Sequence, residues 1–588
     1  MAAGFAIDER YVALVDGTFY YLEDLSARLG ERLDRSTTRG RLVLNAFRRF
    51  GPACVDHLEG DYSFAIWDRH TREVFCARDF TGRRPLFLAP WSGGLVVSSS
   101  LDSIAALPGF HAEVNPAVVG ADAAGLFFAV DDETCMRGVS SLRAGDAVRW
   151  QRGKQIVTER YWQPQPTAES LSFSDAAVVL RDLLAEAVSQ RMADRAPTAV
   201  WMSGGRDSTA VFGAGMHALA VENREASLRP VSRSHPPDDS GREDEAIEEV
   251  ARHWQATPTW IDAKAVSLFS EMRGRDRWSA ESFAQPFESL ARALAKASRS
   301  CGASVALDGY GGDFLFQVSR AYLADVLTEG RPVAAMREWR AMDRGRVGIS
   351  GFAQYALQPA LPRWARRALG SSWAARRIRG PMQRPIAPWI EPGFARKQDL
   401  TARSVALGPD LQPGTTAVQR ETEFYLHHQF FPRVNARMTR FALEHGVELR
   451  SPLLDRRVVQ FALSRPRAER NAAGDTKRLL RASMRGLLPE SVLAPRVGKS
   501  GTLTTYFAEQ MWKDGLNRLQ KMLPARELES LGIVRPQALA AAVDQYRALG
   551  HRYPHVESLF CTLQAETWLR SRESSRRDHQ RTPRVESA

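Results

Sequence analysis

Up to about Gln165 apolar and polar residues alternate in short runs: "YVALVDGTFYYL", "DYSFAIWDRHTREVFCARD", "PLFLAPWSGGLVVSSS" and "GDAVRWQRGKQIVTERYW". This period of two is that of half-buried strands. Asp16-Gly17, Gly93-Gly94 and Arg152-Gly153 read as hairpin turns between them. A β-rich domain with a few helices is predicted over residues 1–165. "QPQPTAESLS" has linker composition, and from Ser174 strands alternate with amphipathic helices. Helix "DAAVVLRDLLAEAVSQRM" precedes strand "TAVWM", a glycine turn and an apolar helix. Strand "RPVSRS", acidic helix "REDEAIEEVARHW", strand "TPTWIDA" and, after further helices, strand "ASVALDG" follow. Strict alternation predicts a parallel sheet covered on both faces, with ligands beyond the carboxyl ends of its strands. Beyond Phe316 the pattern is mostly helical. The second domain is predicted over 166–570 and a disordered polar tail over 571–588. No internal repeat is visible.

Length and composition agree with this division. The chain has 588 residues, 44% hydrophobic and 25% charged, too many for one core and suited to two or three. No secretory signal pattern or membrane-length apolar run occurs, so a cytoplasmic protein without membrane partners is expected. The five cysteines, Cys54, Cys76, Cys135, Cys301 and Cys561, are odd in number and form no CxxC pair. This argues against a disulfide framework or a structural zinc site. The net charge is +12, with basic excess in Arg363 to Arg384 and after Arg570. Such a balance suits nucleic acid, a membrane surface, ATP or an acidic peptide, or is simply a solvated basic face.

The candidate chemistry lies in two glycine-rich turns at strand ends. In "VWMSGGRDSTAVFG" the backbone N–H groups around Gly204 and Gly205, the hydroxyls of Ser203 and Ser208 and the following helix N-terminus make an anion nest. No Gly-Lys-Ser/Thr follows, so this is not the lysine-bearing phosphate loop. A carboxylate in a phosphate nest repels its ligand unless a divalent cation lies between, so Asp207 points to Mg²⁺ shared with ATP oxygens. The second turn, "LDGYGGDFLF", sets Asp308 and Asp313 beside Gly309, Gly311 and Gly312. The plain alternative for each turn is a tight connection with a capping Asp.

"SGGRDS" followed by "DGYGGD" resembles the ATP-pyrophosphatase loop and second magnesium turn of the asparagine synthetase family. "FGPACVDHLEGDYSFAIWD", "CARDFTGRRPLFL", "LRAGDAVRW" and "RYW" resemble that family's amino-terminal glutaminase-type region. "GVELRSPLLDRRVVQFAL", "GDTKRLLRASMRGLLPESV" and "RVGKSG" resemble its synthetase region. The resemblance implies an Ntn-hydrolase-like first domain and a doubly wound, parallel-sheet ATP-pyrophosphatase domain with a helical extension. It further implies ATP and Mg²⁺, with Asp207 and Asp313 as metal ligands. Glutamine-hydrolysing members carry a cysteine directly after the initiator methionine, where this sequence has Ala2. An inactive glutaminase-type domain is therefore expected, and with it another source of amine.

Two branches of the family work without ammonia supply: β-lactam synthetases and lasso peptide cyclases, which join a peptide's N-terminal amine to an Asp or Glu side chain. The former place a catalytic Tyr where Tyr310 stands and a catalytic Lys at the position of Arg496, with Lys499 three residues on. The long basic insertion and "APWIEPGFARKQDLTAR" resemble the cyclases more. That resemblance implies a macrolactam cyclase acting on a precursor peptide, with a leader peptidase and a leader-binding protein as partners and nucleic acid not among them.

In this reading a side-chain carboxylate is adenylated and then met by the peptide amine, with Tyr310 orienting or relaying the proton, or else simply packed in the turn. Lys477 and Lys499 are candidates for neutralising phosphate or the oxyanion, against the alternative of surface charges. Glu421, Glu423 and Glu448 are unassigned carboxylates, and His427-His428 reads as structural. The alternatives are an ammonia-dependent or β-lactam-synthetase-like ligase on a small molecule, a tRNA-modifying pyrophosphatase, and a non-catalytic scaffold.

Overall fold

The computed structural model describes residues 4–33, 37–165, 170–194, 196–270, 281–282, 285–343, 348–361, 385–408, 412, 414, 416–472, 475–495 and 501–581. Most of the basic insertion, Arg496, Lys499 and part of the expected linker lie outside the described residues.

The amino-terminal region contains β1 (Phe5–Ile7), β2 (Tyr11–Phe19), β3 (Gly60–Asp68), β4 (Glu73–Arg78), β5 (Phe87–Trp91), β6 (Gly94–Ser98), β7 (Ser140–Ser141), β8 (Asp146–Gln151) and β9 (Val157–Arg160). Six of these strands form an antiparallel sheet in the order β1-β2-β3-β4-β8-β9, and three form a sheet β6-β5-β7. The alternation read in the sequence decides which face each residue takes. Phe64 and Phe75 pack under Leu42, Val43 and Ala46 of helix Arg39–Phe50, which Thr38 caps through the Arg41 N–H. On the other face Cys76 and Val148 meet Leu86, Leu88 and Leu142.

One hairpin expectation fails. Asp16-Gly17 is not a turn: β2 runs straight through it, with Gly17 opposite Tyr62. A Cβ at Gly17 would run into the Asp61 carbonyl, so this glycine serves close strand approach. By contrast Ser92 and Gly93 take positive φ (48° and 70°) and close the β5–β6 hairpin.

The second region is built on β10 (Thr198–Trp201), β11 (Leu228–Ser234), β12 (Thr259–Asp262), β13 (Val305–Leu307) and β14 (Glu448–Arg450), all parallel in the order β12-β11-β10-β13-β14. Val200 and Leu307 point to one face, where helices Phe173–Arg191 and Arg206–Glu222 supply Leu184, Val188, Val211 and Phe212. Ala199, Trp201 and Ala306 point to the other, against Leu294, Ala295 and Ala442 of helices Glu288–Ser300 and Phe430–Leu443. The chain builds outward from β10 to β12 and returns on the other side as β13 and β14. The topological switch point thus lies between β10 and β13, and the two glycine turns leave those strands.

The two regions share their interior. One continuous apolar core contains Phe87, Val119 and Cys135 of the first region together with Trp389, Tyr546, Phe560 and Trp568. Trp389 and Phe394 lie within "APWIEPGFARKQDLTAR". Phe394 packs on Gly120, and Trp389 Nε1 donates to Thr562 Oγ1 at 2.9 Å. This segment is a seam between the regions. The expected tail from residue 571 is also corrected, because the last helix, Val556–Arg581, continues past it. Past residue 570, Arg572 is buried and donates to the Ala112 carbonyl of the first region, which holds the helix in place there.

Polar contacts cross the same seam. Asp455, fully buried, accepts from Tyr21 Oη (2.8 Å) and Arg191 Nη1 (2.7 Å) and caps helix Arg456–Ser464 through the Arg457 N–H (2.9 Å). Glu448 is held by Thr18 Oγ1 (2.6 Å), Arg84 (2.7 Å) and Arg450 (2.8 Å). His428 packs among Phe128, Phe424 and Phe430. Its Nδ1 accepts the Phe430 N–H at 3.1 Å, so Nε2 carries the proton toward the Phe128 carbonyl at 3.2 Å.

Asp455→Ala strands a buried guanidinium, and urea unfolding is expected to show a loss of about 3–5 kcal/mol. Burial pushes the His428 imidazole down to about 4. The unfolded chain takes up this proton near the ordinary value, so the stability from neutral His428 is present above about 6.5 and lost as pH falls through 4. Urea midpoints measured from pH 7 to pH 4 should fall less steeply in His428→Gln than in the parent.

Candidate active site

The turn after β10 is organised by its two serines. Ser208 Oγ accepts the Ser203 N–H at 3.0 Å and lies 3.0 Å from Ser203 Oγ, which accepts the Gly205 N–H at 3.2 Å. Helix Arg206–Glu222 starts directly on Gly205, with Asp207 in its first turn. Gly204 is required by packing, since a Cβ there would lie 2.6 Å from Glu243 Cβ. The second turn lies directly on this helix start. A Cβ on Gly309 would meet the Ser208 nitrogen at 2.5 Å, and a Cβ on Gly312 would fall within the Asp207 carboxylate. Gly311 has φ +108°, open to glycine. The glycines spaced along "DGYGGD" therefore let two strand ends meet face to face.

Asp207 and Asp313 thereby come to one ammonium. Lys477 Nζ donates to Asp207 Oδ2 at 2.5 Å and to Asp313 Oδ1 at 2.7 Å. Its backbone has φ +56°, unusual for a lysine, at the start of helix Arg478–Ser483, and its side chain is buried. Burial disfavours the charge, but the two carboxylates outweigh it and hold the ammonium above its ordinary range. Asp308, the other acid of the second turn, is engaged differently: it receives Arg83 Nη2 (3.2 Å), the Ser451 hydroxyl and the Tyr310 N–H (3.2 Å).

A cleft of about 1130 Å³ opens over these groups, and Ser203, Asp207, Tyr310, Asp313, Glu421 and Lys477 all line it. Tyr310 lies edge-on to Phe314, which stacks on Tyr425. Burial pushes the Tyr310 hydroxyl well up, with Arg83 opposing and Asp308 and Tyr425 adding, so at neutral pH it keeps its proton. Of the three unassigned glutamates only Glu421 reaches the cleft. Glu423 pairs with His427 at 3.1 Å, and Glu448 belongs to the seam. A separate space of about 50 Å³ beneath Arg78 and Cys135 has room for water only.

Two positioning residues lie within quoted motifs but were given no role from the sequence. Arg206 reaches Thr476 Oγ1 (3.1 Å) and the Ala494 carbonyl (2.6 Å), tying the loop to the segment that presents Lys477. Arg83, from the amino-terminal region and almost fully buried, braces the second turn through Asp308 and Thr439 Oγ1 (3.0 Å). The signal available was the arginine pair in "TGRRPLFL". The five cysteines are free thiols. Among the described residues no group of three or more His, Cys, Asp or Glu gathers as a protein-only metal site.

The donors present suit magnesium held jointly with a nucleotide. Mg²⁺ commonly takes one or two carboxylates and completes its shell with water and phosphate oxygens. Asp207 and Asp313 provide that number, and Gly312 leaves open the space beside Asp207 that any side chain would fill.

Gly312→Ala is expected to displace the Asp207 carboxylate from Lys477, reducing nucleotide turnover about 100-fold and lowering the melting temperature. Arg83→Met should lower both turnover and melting temperature, since it unpairs Asp308 as well as loosening the turn. Turnover assays alongside thermal melts check both.

Comparison with known proteins places this geometry. The asparagine synthase family model matches residues 179–570, and the glutamine amidotransferase domain model matches residues 5–162. Asparagine synthetase [glutamine-hydrolyzing] 3 of Bacillus subtilis is 25% identical over 248 residues, 40% of this chain and 40% of its own length. Amidase chry2 of Gibberella zeae is 24% identical over 570 residues, 90% of this chain and 82% of its own. A putative asparagine synthetase [glutamine-hydrolyzing] of Mycobacterium bovis is 26% identical over 524 residues, 83% of this chain and 74% of its own. With a family model covering two thirds of its length and its two aspartate-bearing turns joined at the switch point of the sheet, the chain belongs to the asparagine synthase family.

Proposed function

We propose that this protein is an ATP-dependent carbon–nitrogen ligase that activates a carboxylate with release of pyrophosphate and transfers the acyl group to an amine with release of AMP. The observation that carries this reading is the convergence of Asp207, Asp313 and Lys477 over the Ser203–Ser208 nest. A carboxylate oxygen attacks the α-phosphorus of ATP and the bond to pyrophosphate breaks. Nitrogen then attacks the acyl carbon, the bond to AMP breaks, and the nitrogen gives up a proton.

The chain's own groups have definable parts in this. The Ser203 and Ser208 hydroxyls and the N–H groups of the helix start bind phosphate oxygens, where charge develops on the leaving pyrophosphate. Lys477 exchanges its two carboxylates for phosphate oxygens or shares them. Asp207 and Asp313 would hold Mg²⁺, which supplies further positive charge to the same oxygens. Tyr310, protonated at rest, orients the nucleophile or passes its proton on, with Glu421 in the same cleft as a candidate acceptor.

For the substrate, the similar proteins favour a small acyl donor combined with ammonia, as the names of two of them, asparagine synthetases, indicate. A larger one rests on the resemblance of the segment holding Trp389 and Phe394 to the cyclases, while the cleft, at about 1130 Å³, must hold ATP beside either substrate. The second reading is therefore the macrolactam cyclase, in which an Asp or Glu side chain of a precursor peptide is activated and the peptide's N-terminal amine attacks. Leader peptidase and leader-binding partners belong to that reading alone.

The test measures ATP–pyrophosphate exchange and AMP release with Mg²⁺, offering L-aspartate plus ammonium in one arm and leader-free precursor peptides in the other, with mass analysis of the products. Exchange abolished by Asp207→Asn and Asp313→Asn, a fall of at least about 100-fold, is expected. Turnover confined to aspartate selects the small-molecule ligase. Loss of one water from a peptide selects the cyclase. ADP and phosphate as products would overturn both.

A further inference from the structure

The loop after β4 that carries Arg83 to the second turn is anchored on two buried carboxylates that the chemistry above does not use. Asp61 of β3 is 4% exposed and Asp79, directly after β4, is 2% exposed. One hydroxyl stands between them: Thr81 Oγ1 lies 2.9 Å from Asp61 Oδ1 and also contacts Asp79 Oδ1. The remaining oxygens have partners of their own, Asp61 Oδ2 in the Tyr20 hydroxyl at 2.7 Å and Asp79 Oδ2 in the Tyr62 N–H at 3.0 Å. Asp79 Oδ1 also accepts the Thr81 and Gly82 N–H groups at 2.7 and 3.2 Å.

A threonine hydroxyl has one hydrogen and cannot donate to two carboxylates at once. With both acids ionised, one of the two contacts sets a lone pair against a buried anion, and the acids repel each other. One proton between Asp79 Oδ1 and Thr81 Oγ1 removes both conflicts: Asp79 donates to Thr81, Thr81 to Asp61, and Tyr20 closes the chain. The surrounding charges favour Asp79 as its holder. Asp61 faces the guanidinium groups of Arg83, Arg84, Arg191 and Arg450. Asp79 faces Arg78, with the phenols of Tyr62 and Tyr161 beside it. Burial, with Asp61 adding, pushes the Asp79 carboxyl up to about 7 against Thr81 and Arg78.

We infer that Asp61 and Asp79 share one proton through Thr81, and that its loss loosens the loop carrying Arg83 and with it the second glycine turn. Asp79 is then a positioning residue. Asn435 Nδ2 of helix Phe430–Leu443 donates to the Thr81 carbonyl at 3.0 Å, and Arg83, two residues on, reaches Thr439 Oγ1 at 3.0 Å and Asp308 at 3.2 Å. A movement of Thr81 is therefore passed across the seam to the turn that holds Tyr310 and Asp313. The shared proton stands independently of the ligase reading, whereas its effect on the nucleotide rests on it.

The experiment uses the full chain and two readouts, infrared difference spectra across neutral pH and calorimetric binding of Mg·ATP. The parent should lose the carbonyl band of a protonated carboxyl as pH rises through about 7. Asp61→Asn offers Thr81 an amide donor and removes the repelling charge, so its band should titrate at lower pH. Between pH 6 and pH 8 the Kd for Mg·ATP should rise about 5-fold more in the parent than in Asp61→Asn, a comparison that cancels the ionisation of ATP itself. Thr81→Val keeps both acids without the bridge and serves where Asp61→Asn folds poorly: with a donor to the ionised form gone, its band should titrate at higher pH than the parent's. A band that does not titrate, a titration unmoved by either variant, or an affinity equally pH-dependent in parent and Asp61→Asn would overturn the inference. A titration that moves as expected in a chain that does not bind Mg·ATP would instead overturn the ligase reading and leave the shared proton in place.

Discussion

Two carboxylates at the head of one cleft are an electrostatic liability, and much of the structure is arranged around them. Asp207 and Asp313 repel each other, and their single shared ammonium, Lys477, must be buried to reach both. A buried lysine keeps its charge only with such partners. The arrangement lasts because each member is fixed from behind: Asp207 by the start of a helix on Gly205, Asp313 by a turn that Arg83 braces, and Lys477 by a left-handed backbone position. Lys477 balances one of the two negative charges, and a divalent cation would balance the other.

The same constraint explains why the amino-terminal region belongs to the machinery. Arg83 crosses from the first region to Asp308, and Arg84 beside it crosses to Glu448 on the edge strand. These contacts, with Tyr21 and Arg191 on Asp455, join an antiparallel domain to the carboxyl ends of a parallel sheet. The common apolar core adds non-directional cohesion, while the buried arginines set register between the regions. The amino-terminal region therefore helps determine where the second turn stands.

The cleft is lined from two sources. The glycine turns at the sheet edge supply Ser203, Asp207 and Asp313, and the chain after Phe316, where strict strand–helix alternation ends, supplies Arg320, Met342, Tyr355 and Glu421, with Arg320 held near the rings of Trp339 and Tyr355.

What the sequence alone determined is local. The periods of two and of strand–helix alternation arise from backbone geometry, so both sheets and their covered faces were legible. "SGGRDS" and "DGYGGD" carried their chemistry in residue type, because glycine beside an acid at a strand end has few other uses. Gly17 misled for the same local reason: glycine marks a turn and a close strand contact alike, and only the partner strand distinguishes them. The tail was misjudged because its polar residues give no sign of the contact between Arg572 and the Ala112 carbonyl, some 460 residues away in the chain. Only the tertiary structure decided that Lys477, some 270 residues from Asp207, completes the site. It likewise separated Glu421 from Glu423 and Glu448, and gave Arg83 a role. These are contacts between distant segments, fixed by packing and by the order of strands in the sheet, and the spacing of residues along the chain carries no record of them.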